Sequence, residues 1–160
     1  MAKLKKTNVM RLLDQAKIPY TAHTYSDTEA ISGVEVASVL GQDVACVFKT
    51  LVTEGAGKVP EHYVFMVPVA EELDLKKAAV AAGEKSLTMM HVKDLEPTTG
   101  YVRGGCTPVG MKKQFPTLID ETAQLFDEIG ISGGRRGISL RLDPEQLASF
   151  IGATFADIVR

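Results

Sequence analysis

Between Thr7 and Lys17 the apolar side chains Val9, Met10, Leu12, Leu13 and Ala16 recur at three- and four-residue spacing. That pattern predicts an amphipathic helix, with Thr7 as its N-cap and Ile18-Pro19 as its stop. Tyr20 to Tyr25 reads as a short strand, and residues 33–40 as a second helix with Gly41 just past its end. Val44 to Val52 is apolar except for Lys49 and Thr50, and Tyr63 to Val69 is nearly continuous. Both runs predict strands buried on two faces, joined as a hairpin through Glu54-Gly55-Ala56-Gly57. Asp74 caps a helix that runs to Ala82 and stops at Gly83. Leu87–Met89 follows as a strand, Val92–Leu95 as a helical turn and Pro97–Gly110 as an ordered loop. Thr117–Asp120 and Gln124–Ile131 read as strands, Ser132–Gly137 as a turn, and Ile138–Leu142 alternates as a strand should. Asp143-Pro144-Glu145-Gln146 opens a helix that Gly152 ends, and Ala153–Ile158 is extended. Short helices interspersed with short strands, with no regular βαβ beat, repeat or linker, predict a single α+β domain over residues 1–160. Its mixed sheet is expected to be curled, or closed into a barrel, and flanked by the helices.

Composition narrows the class. The 160 residues are 45% hydrophobic and 24% charged, which fits a folded domain and excludes a disordered chain or a fibre. No apolar run approaches the ~20 residues of a membrane span, and no apolar segment follows the basic start, so no secretory signal is expected. Cys46 and Cys106 form no CxxC pair, and His23, His62 and His91 are scattered, so neither a metal site nor a cofactor is expected. Two isolated thiols fit a reducing cytoplasm. The net charge of −2 conceals an uneven distribution. Residues 1–13, 101–117 and 132–142 hold ten of the 18 basic residues and none of the 20 acidic ones. If these segments meet, they form a basic surface on an otherwise acidic protein.

Three features could carry chemistry. The ammonium of Lys49, inside VACVFKTLV, either snorkels to solvent or faces an anion in a cleft. The loop TTGYVRGGCTPVG (98–110) carries Gly104-Gly105, where backbone amides can approach an oxyanion or carbonyl, and Pro108 stiffens the end of the loop. A plain tight turn reads equally well. SGGRRG (132–137) sets Arg135 and Arg136 among glycines, which suits phosphate contacts or a solvated hairpin tip. Cys106 with His23 as its base would make a nucleophile, but a small semi-buried loop thiol is the simpler reading; Cys46 reads as core.

The ordered set of segments 7–13, 23–25, 47–51, 67–69, 73–77, 99–105, 107–113, 131–134 and 136–137 resembles the YbaK/EbsC family, the Cys-tRNA(Pro) deacylases. The likeness runs from about residue 7 to residue 158. It implies an editing-domain fold and a trans-editing enzyme, which removes cysteine mischarged onto tRNA(Pro) because size alone discriminates poorly between the two amino acids. It also implies a substrate-assisted reaction, in which the thiol of the attached cysteine attacks its own ester carbonyl. By the same resemblance Lys49 is the pocket lysine for the tRNA end and the ester. The amides of Gly104 and Gly105, in a loop with Thr107 and Pro108, face the substrate carbonyl. Tyr25, Thr50 and Ser132 line the pocket.

Two positions depart from the family pattern: Ser139 stands where an aspartate is common, and Ser32 where an aromatic residue is common. Both belong to the implied pocket. They admit an alanyl- or broad-specificity deacylase that uses water, and a non-catalytic tRNA- or synthetase-binding module is the third reading. The expected partners are the acceptor end of a mischarged tRNA, with Arg103, Lys112, Lys113, Arg135 and Arg136 as phosphate candidates, and prolyl-tRNA synthetase. No membrane partner is expected.

Overall fold

The computed structural model describes residues 5–26 and 32–160. Among these, five α-helices are formed: α1 (Asn8–Gln15), α2 (Gly33–Val39), α3 (Leu75–Ala82), α4 (Val92–Thr99) and α5 (Pro144–Ile151). The strands are β1 (Tyr20–Thr24), β2 (Phe48–Gly55), β3 (His62–Pro68), β4 (Leu87–Met89), β5 (Thr117–Asp120), β6 (Ile129–Ser132), β7 (Ile138–Leu142) and β8 (Thr154–Ala156). The helix starts follow the caps read from the sequence: the side chains of Thr7, Asp74 and Asp143 each accept backbone N–H groups of the first turn.

Two sheets result. The antiparallel β1-β7-β6 sheet has three strands, and a mixed β4-β2-β3-β5-β8 sheet has five. The hairpin forms as expected, with Phe48 opposite Pro68 and Glu54 opposite His62. The alternative of a closed barrel is not realised. The two sheets are joined by a single parallel bridge, Val47 to Gly130, and then part. Beyond the bridge β4 pairs with β2 only at Thr53, Glu54 and Gly55. Among the described residues no strand therefore covers the outer edge of β2 from Phe48 to Leu51.

Sheet faces alternate as the pleat requires. Met66 and Ile119 join Leu13, Ile131, Leu140 and Leu147 in the core between the sheets, α1 and α5. Phe65, Val67 and Leu118 point the other way, onto Ala78 and Ala79 of α3. β3 is thus buried on both faces, as its sequence predicted, but Lys49, Thr50 and Leu51 of β2 are only half-buried.

Three local expectations are corrected. Val44–Cys46 is a 3₁₀ turn and not the start of β2, because the Asp43 side chain accepts the Ala45 N–H at 2.9 Å and caps a turn there. Asp120 does the same for Thr122, so Glu121–Leu125 is 3₁₀ and β6 begins only at Ile129. The turn at Val92 continues past Pro97 to Thr99, whose Oγ1 donates to the Leu95 carbonyl at 2.8 Å while the Gly100 N–H closes on Glu96.

Asp120 also ties the C-terminal segment down. It is fully buried; Oδ1 accepts the Ile158 N–H at 3.2 Å, and Oδ2 accepts the Thr122 N–H at 3.2 Å and its hydroxyl at 2.5 Å. Asp120→Ala strands these donors and is expected to cost about 2–3 kcal/mol. Urea unfolding reads this as a lower midpoint; an unchanged midpoint contradicts the assignment.

Candidate functional site

The uncovered edge of β2 opens onto a cavity of ≈ 530 Å³, a volume typical of small-molecule sites. One wall is β2 itself, residues Phe48 to Leu51, and the opposite wall is Ile131 and Ser132 of β6 with Ile138 and Ser139 of β7. The first turn of α2 closes one end, and Arg103, Gly104 and Cys106 close another. Of the residues singled out from the sequence, Tyr25, Ser32, Lys49, Thr50, Arg103, Gly104, Ser132 and Ser139 all line this one cavity.

Lys49 sits half-buried in the wall, and among the described residues it has no hydrogen bond or ion pair. Burial pushes its pKa below that of an ordinary lysine, because a dehydrated ammonium favours losing its proton. The charges of Glu72 and Glu71 act in the opposite direction from farther away. Next to it, the buried Oγ1 of Thr50 has no hydrogen-bond partner among the described residues. The three serine hydroxyls of the lining are engaged. Ser132 Oγ accepts the Gly134 N–H at 3.2 Å, Ser139 Oγ donates to the Ile131 carbonyl at 3.3 Å, and Ser32 caps α2 by accepting the Glu35 N–H at 3.2 Å.

The two glycine loops stack on each other. A Cβ on Gly105 would lie 2.8 Å from the Arg135 Cα, so only glycine fits there. The Gly105 N–H donates to the Val102 carbonyl at 2.9 Å, and Gly105 itself is buried outside the cavity lining. Gly104 has φ +88°, and its N–H makes no hydrogen bond among the described residues. Thr107 and Pro108 are buried behind the loop, with Thr107 Oγ1 unpartnered among the described residues. Arg135 and Arg136 are exposed on the adjoining loop. Lys112 Nζ donates to the Pro97 carbonyl at 3.4 Å near the end of α4, and Lys113 stands 5.9 Å from the Phe115 ring. Neither lysine lines the cavity.

The basic segments do converge, since Gly110 lies against Asn8 and Leu12 of α1 and Gly134 against Val9. Lys6 is neutralised by Asp14, however, and Lys3 lies outside the described residues.

Cys106 lines the cavity, but burial pushes its thiol up to about 12, so it stays protonated at neutral pH. Its place in the wall was not anticipated, nor were those of Glu35 and the apolar residues Val69, Ile131 and Ile138. Glu35 had a local signal: a Ser32-x-x-Glu35 capping box, which forms and turns the first residues of α2 toward the site. The apolar lining carried none, because an inward strand residue reads as core.

The aminoacyl-tRNA editing domain family matches residues 28–150. A protein of Enterococcus faecalis (strain ATCC 700802 / V583), named as a candidate Cys-tRNA(Pro)/Cys-tRNA(Cys) deacylase, EbsC, is 48% identical to this chain. The alignment spans 99% of this chain and 98% of that protein. Among solved structures, a candidate trans-editing enzyme for prolyl tRNA synthetase matches with a TM-score of 0.82 at 24% identity, covering 98% of this chain and 99% of the other. A structure from work on computational epitope grafting onto scaffold proteins also matches, with a TM-score of 0.82 at 27% identity, over 95% and 94% of the two chains. By the family match and the extent of the Enterococcus likeness, this chain belongs to the aminoacyl-tRNA editing domain family.

Proposed function

We propose that this protein is a trans-editing deacylase that clears cysteine from mischarged tRNA(Pro), acting in the cytoplasm alongside prolyl-tRNA synthetase. The observation that carries the reading is an unpaired, half-buried Lys49 in the same cavity as the free Gly104 N–H. A cation and an amide dipole with no internal partners suit a substrate that brings an ester carbonyl and a polyanionic leaving group. The Enterococcus relative, with its name for Cys-tRNA(Pro) and Cys-tRNA(Cys), supports cysteine as the cargo and low discrimination between tRNAs.

Among the described residues the one thiol of the lining, Cys106, is held protonated and is a poor nucleophile. The reaction then runs on the substrate. The cysteine thiol gives its proton to solvent, its sulfur bonds to the ester carbon, and the C–O bond to the terminal ribose breaks. The ribose oxygen takes up a proton as the tRNA leaves, and water opens the resulting thiolactone to free cysteine. The Gly104 N–H meets the carbonyl oxygen as it gains charge, and Lys49 holds the ribose–phosphate end. Tyr25, Ser32, Thr50, Ser132 and Ser139 shape the space around the amino acid. Arg103, Arg135 and Arg136 meet the acceptor-end phosphates, with Lys112 and Lys113 farther out.

Ser32 and Ser139 keep the lining polar and favour, as the second reading, a water-based deacylase for alanine or another small amino acid. Deacylation of Cys-, Ala- and Ser-charged tRNA(Pro) separates the two. Substrate assistance predicts that cysteine leaves at least ~100-fold faster than serine, which has the size but not the thiol. Equal rates for the two overturn it, and binding without ester loss reduces the protein to a tRNA-binding module.

Lys49→Ala is expected to lower deacylation at least ~100-fold while the circular dichroism spectrum is retained; parental turnover by this variant refutes the site. Cys106→Ala should keep the rate within about threefold of the parent, since a protonated thiol contributes no nucleophile.

The pH profile follows from the direction of the Lys49 shift. Rate climbs as the substrate thiol ionises near pH ~8.5. It then falls as Lys49 loses its charge, earlier than an ordinary lysine would. The background-corrected profile is therefore bell-shaped, and in the residual activity of Lys49→Arg the descending limb should vanish, because a guanidinium stays protonated. A descending limb unmoved in Lys49→Arg assigns it to another group.

A further inference from the structure

Arg136 does not line the cavity, yet it is bonded to the cavity wall. Its Nε donates to the Arg103 carbonyl at 2.8 Å. The side chain lies across the next residue, so that a Cβ on Gly104 would meet Arg136 Nε at 3.0 Å and Cγ at 3.2 Å. The Arg103 carbonyl and the Gly104 N–H belong to one peptide unit. In a trans peptide these two groups point in opposite directions. Whatever fixes the carbonyl therefore fixes the direction of the amide.

That peptide has reason to need fixing. Gly104 stands at φ +88°, a region glycine enters and leaves freely. Its own N–H makes no hydrogen bond among the described residues, and the residue is exposed at the cavity rim. The following amide, at Gly105, is already held by the Val102 carbonyl. Without a restraint on the Arg103 carbonyl, rotation of the Arg103–Gly104 peptide would turn the N–H out of the wall at little cost.

We propose that Arg136 is a positioning residue: by clamping the Arg103 carbonyl from outside the cavity, it aims the Gly104 N–H at the substrate's ester oxygen. This rests on the deacylase reading given above. The charge of the clamp strengthens the donor it positions, because a cation on a carbonyl polarises the N–H of the same peptide. Only Nε is engaged among the described residues, so the two terminal nitrogens remain available for an acceptor-end phosphate. One planar group thus links the tRNA backbone to the amide that its ester meets.

Two variants separate aiming from charge. Arg136→Gln places an amide N–H where Nε stands but removes the charge and the terminal nitrogens. Arg136→Met has nearly the same stem and no donor. Both lose the phosphate contact equally, so both should raise KM alike. Aiming predicts that Arg136→Gln keeps kcat within about threefold of the parent, while Arg136→Met loses a further ~10-fold or more. The Gly104 amide resonance in a ¹⁵N spectrum should stay near its parental position in Arg136→Gln and move in Arg136→Met. Equal kcat for the two variants, or an unmoved Gly104 resonance in Arg136→Met, overturns the proposal. The spectrum is independent of turnover. A parent inert toward every charged tRNA would defeat the deacylase reading, while the resonance would still report whether Arg136 restrains the peptide.

Discussion

The site exists because one strand changes partners partway along its length. Val47, just before β2, is bridged to β6, and β2 pairs with β4 from Thr53; between those points its outer edge has no strand partner among the described residues. A β-strand edge inside a folded protein is normally covered, since uncovered backbone groups away from water are costly. Here the gap is left open as a cavity, and the residues along it are the ones least like the rest of the strand: Lys49, Thr50 and Leu51. The parting of the sheets fixes the width of the cavity. The five-stranded sheet, packed on both faces, makes β2 a rigid wall for it.

Electrostatics then sets the chemistry. An ammonium in that wall is partly dehydrated, and no carboxylate among the described residues pairs with it. Such a charge is destabilising to the empty protein unless something else offsets it. The two glutamates nearest in effect, Glu72 and Glu71, act at a distance, and Glu72 is already paired with Arg160 at 2.9 Å. The same burial that dehydrates Lys49 holds Cys106 protonated. Both effects leave the wall with a cation that no carboxylate among the described residues pairs and with a thiol in its protonated form.

Much of the local fold was legible in the sequence because it is written in short-range chemistry. Thr7, Asp74 and Asp143 cap the helices they were expected to cap, and β3 is as fully buried as its unbroken apolar run requires. Two of the three misread segments share one cause. Asp43 and Asp120 bond their own backbone two residues on, and this local competition outweighs the strand propensity of Val44 and of the residues after Asp120. Thr99 does the reverse, sustaining a helix beyond Pro97 by taking the Leu95 carbonyl. In the site, Lys49 announced itself as a charge in an apolar run. Ser132 and Ser139 were reached only through the family resemblance, for their adjacency is a cross-strand register. The engagement of the Arg103 carbonyl by Arg136, and the close approach of Gly105 to Arg135, depend on a stacking of loops some 30 residues apart, which no local pattern encodes.

That stacking gives the uneven charge distribution a physical reason. The acid-free segments at 101–117 and 132–142 are the two loops that touch, and α1 packs beneath both through Val9, Leu12 and Asn8. An acidic side chain in either loop would be placed to draw off a guanidinium, as Asp14 draws off Lys6 on the neighbouring helix. Arg103 and Arg135 instead have no ion pair among the described residues, and Arg136 gives only its Nε to a neutral carbonyl. Keeping acids out of these loops leaves the basic rim without a neutralising partner among the described residues. The tight glycine contacts between the loops keep that rim in register with the wall it borders. Arg103 of the rim and Lys49 of the wall then line one cavity, the arrangement on which the proposed path of the acceptor end rests.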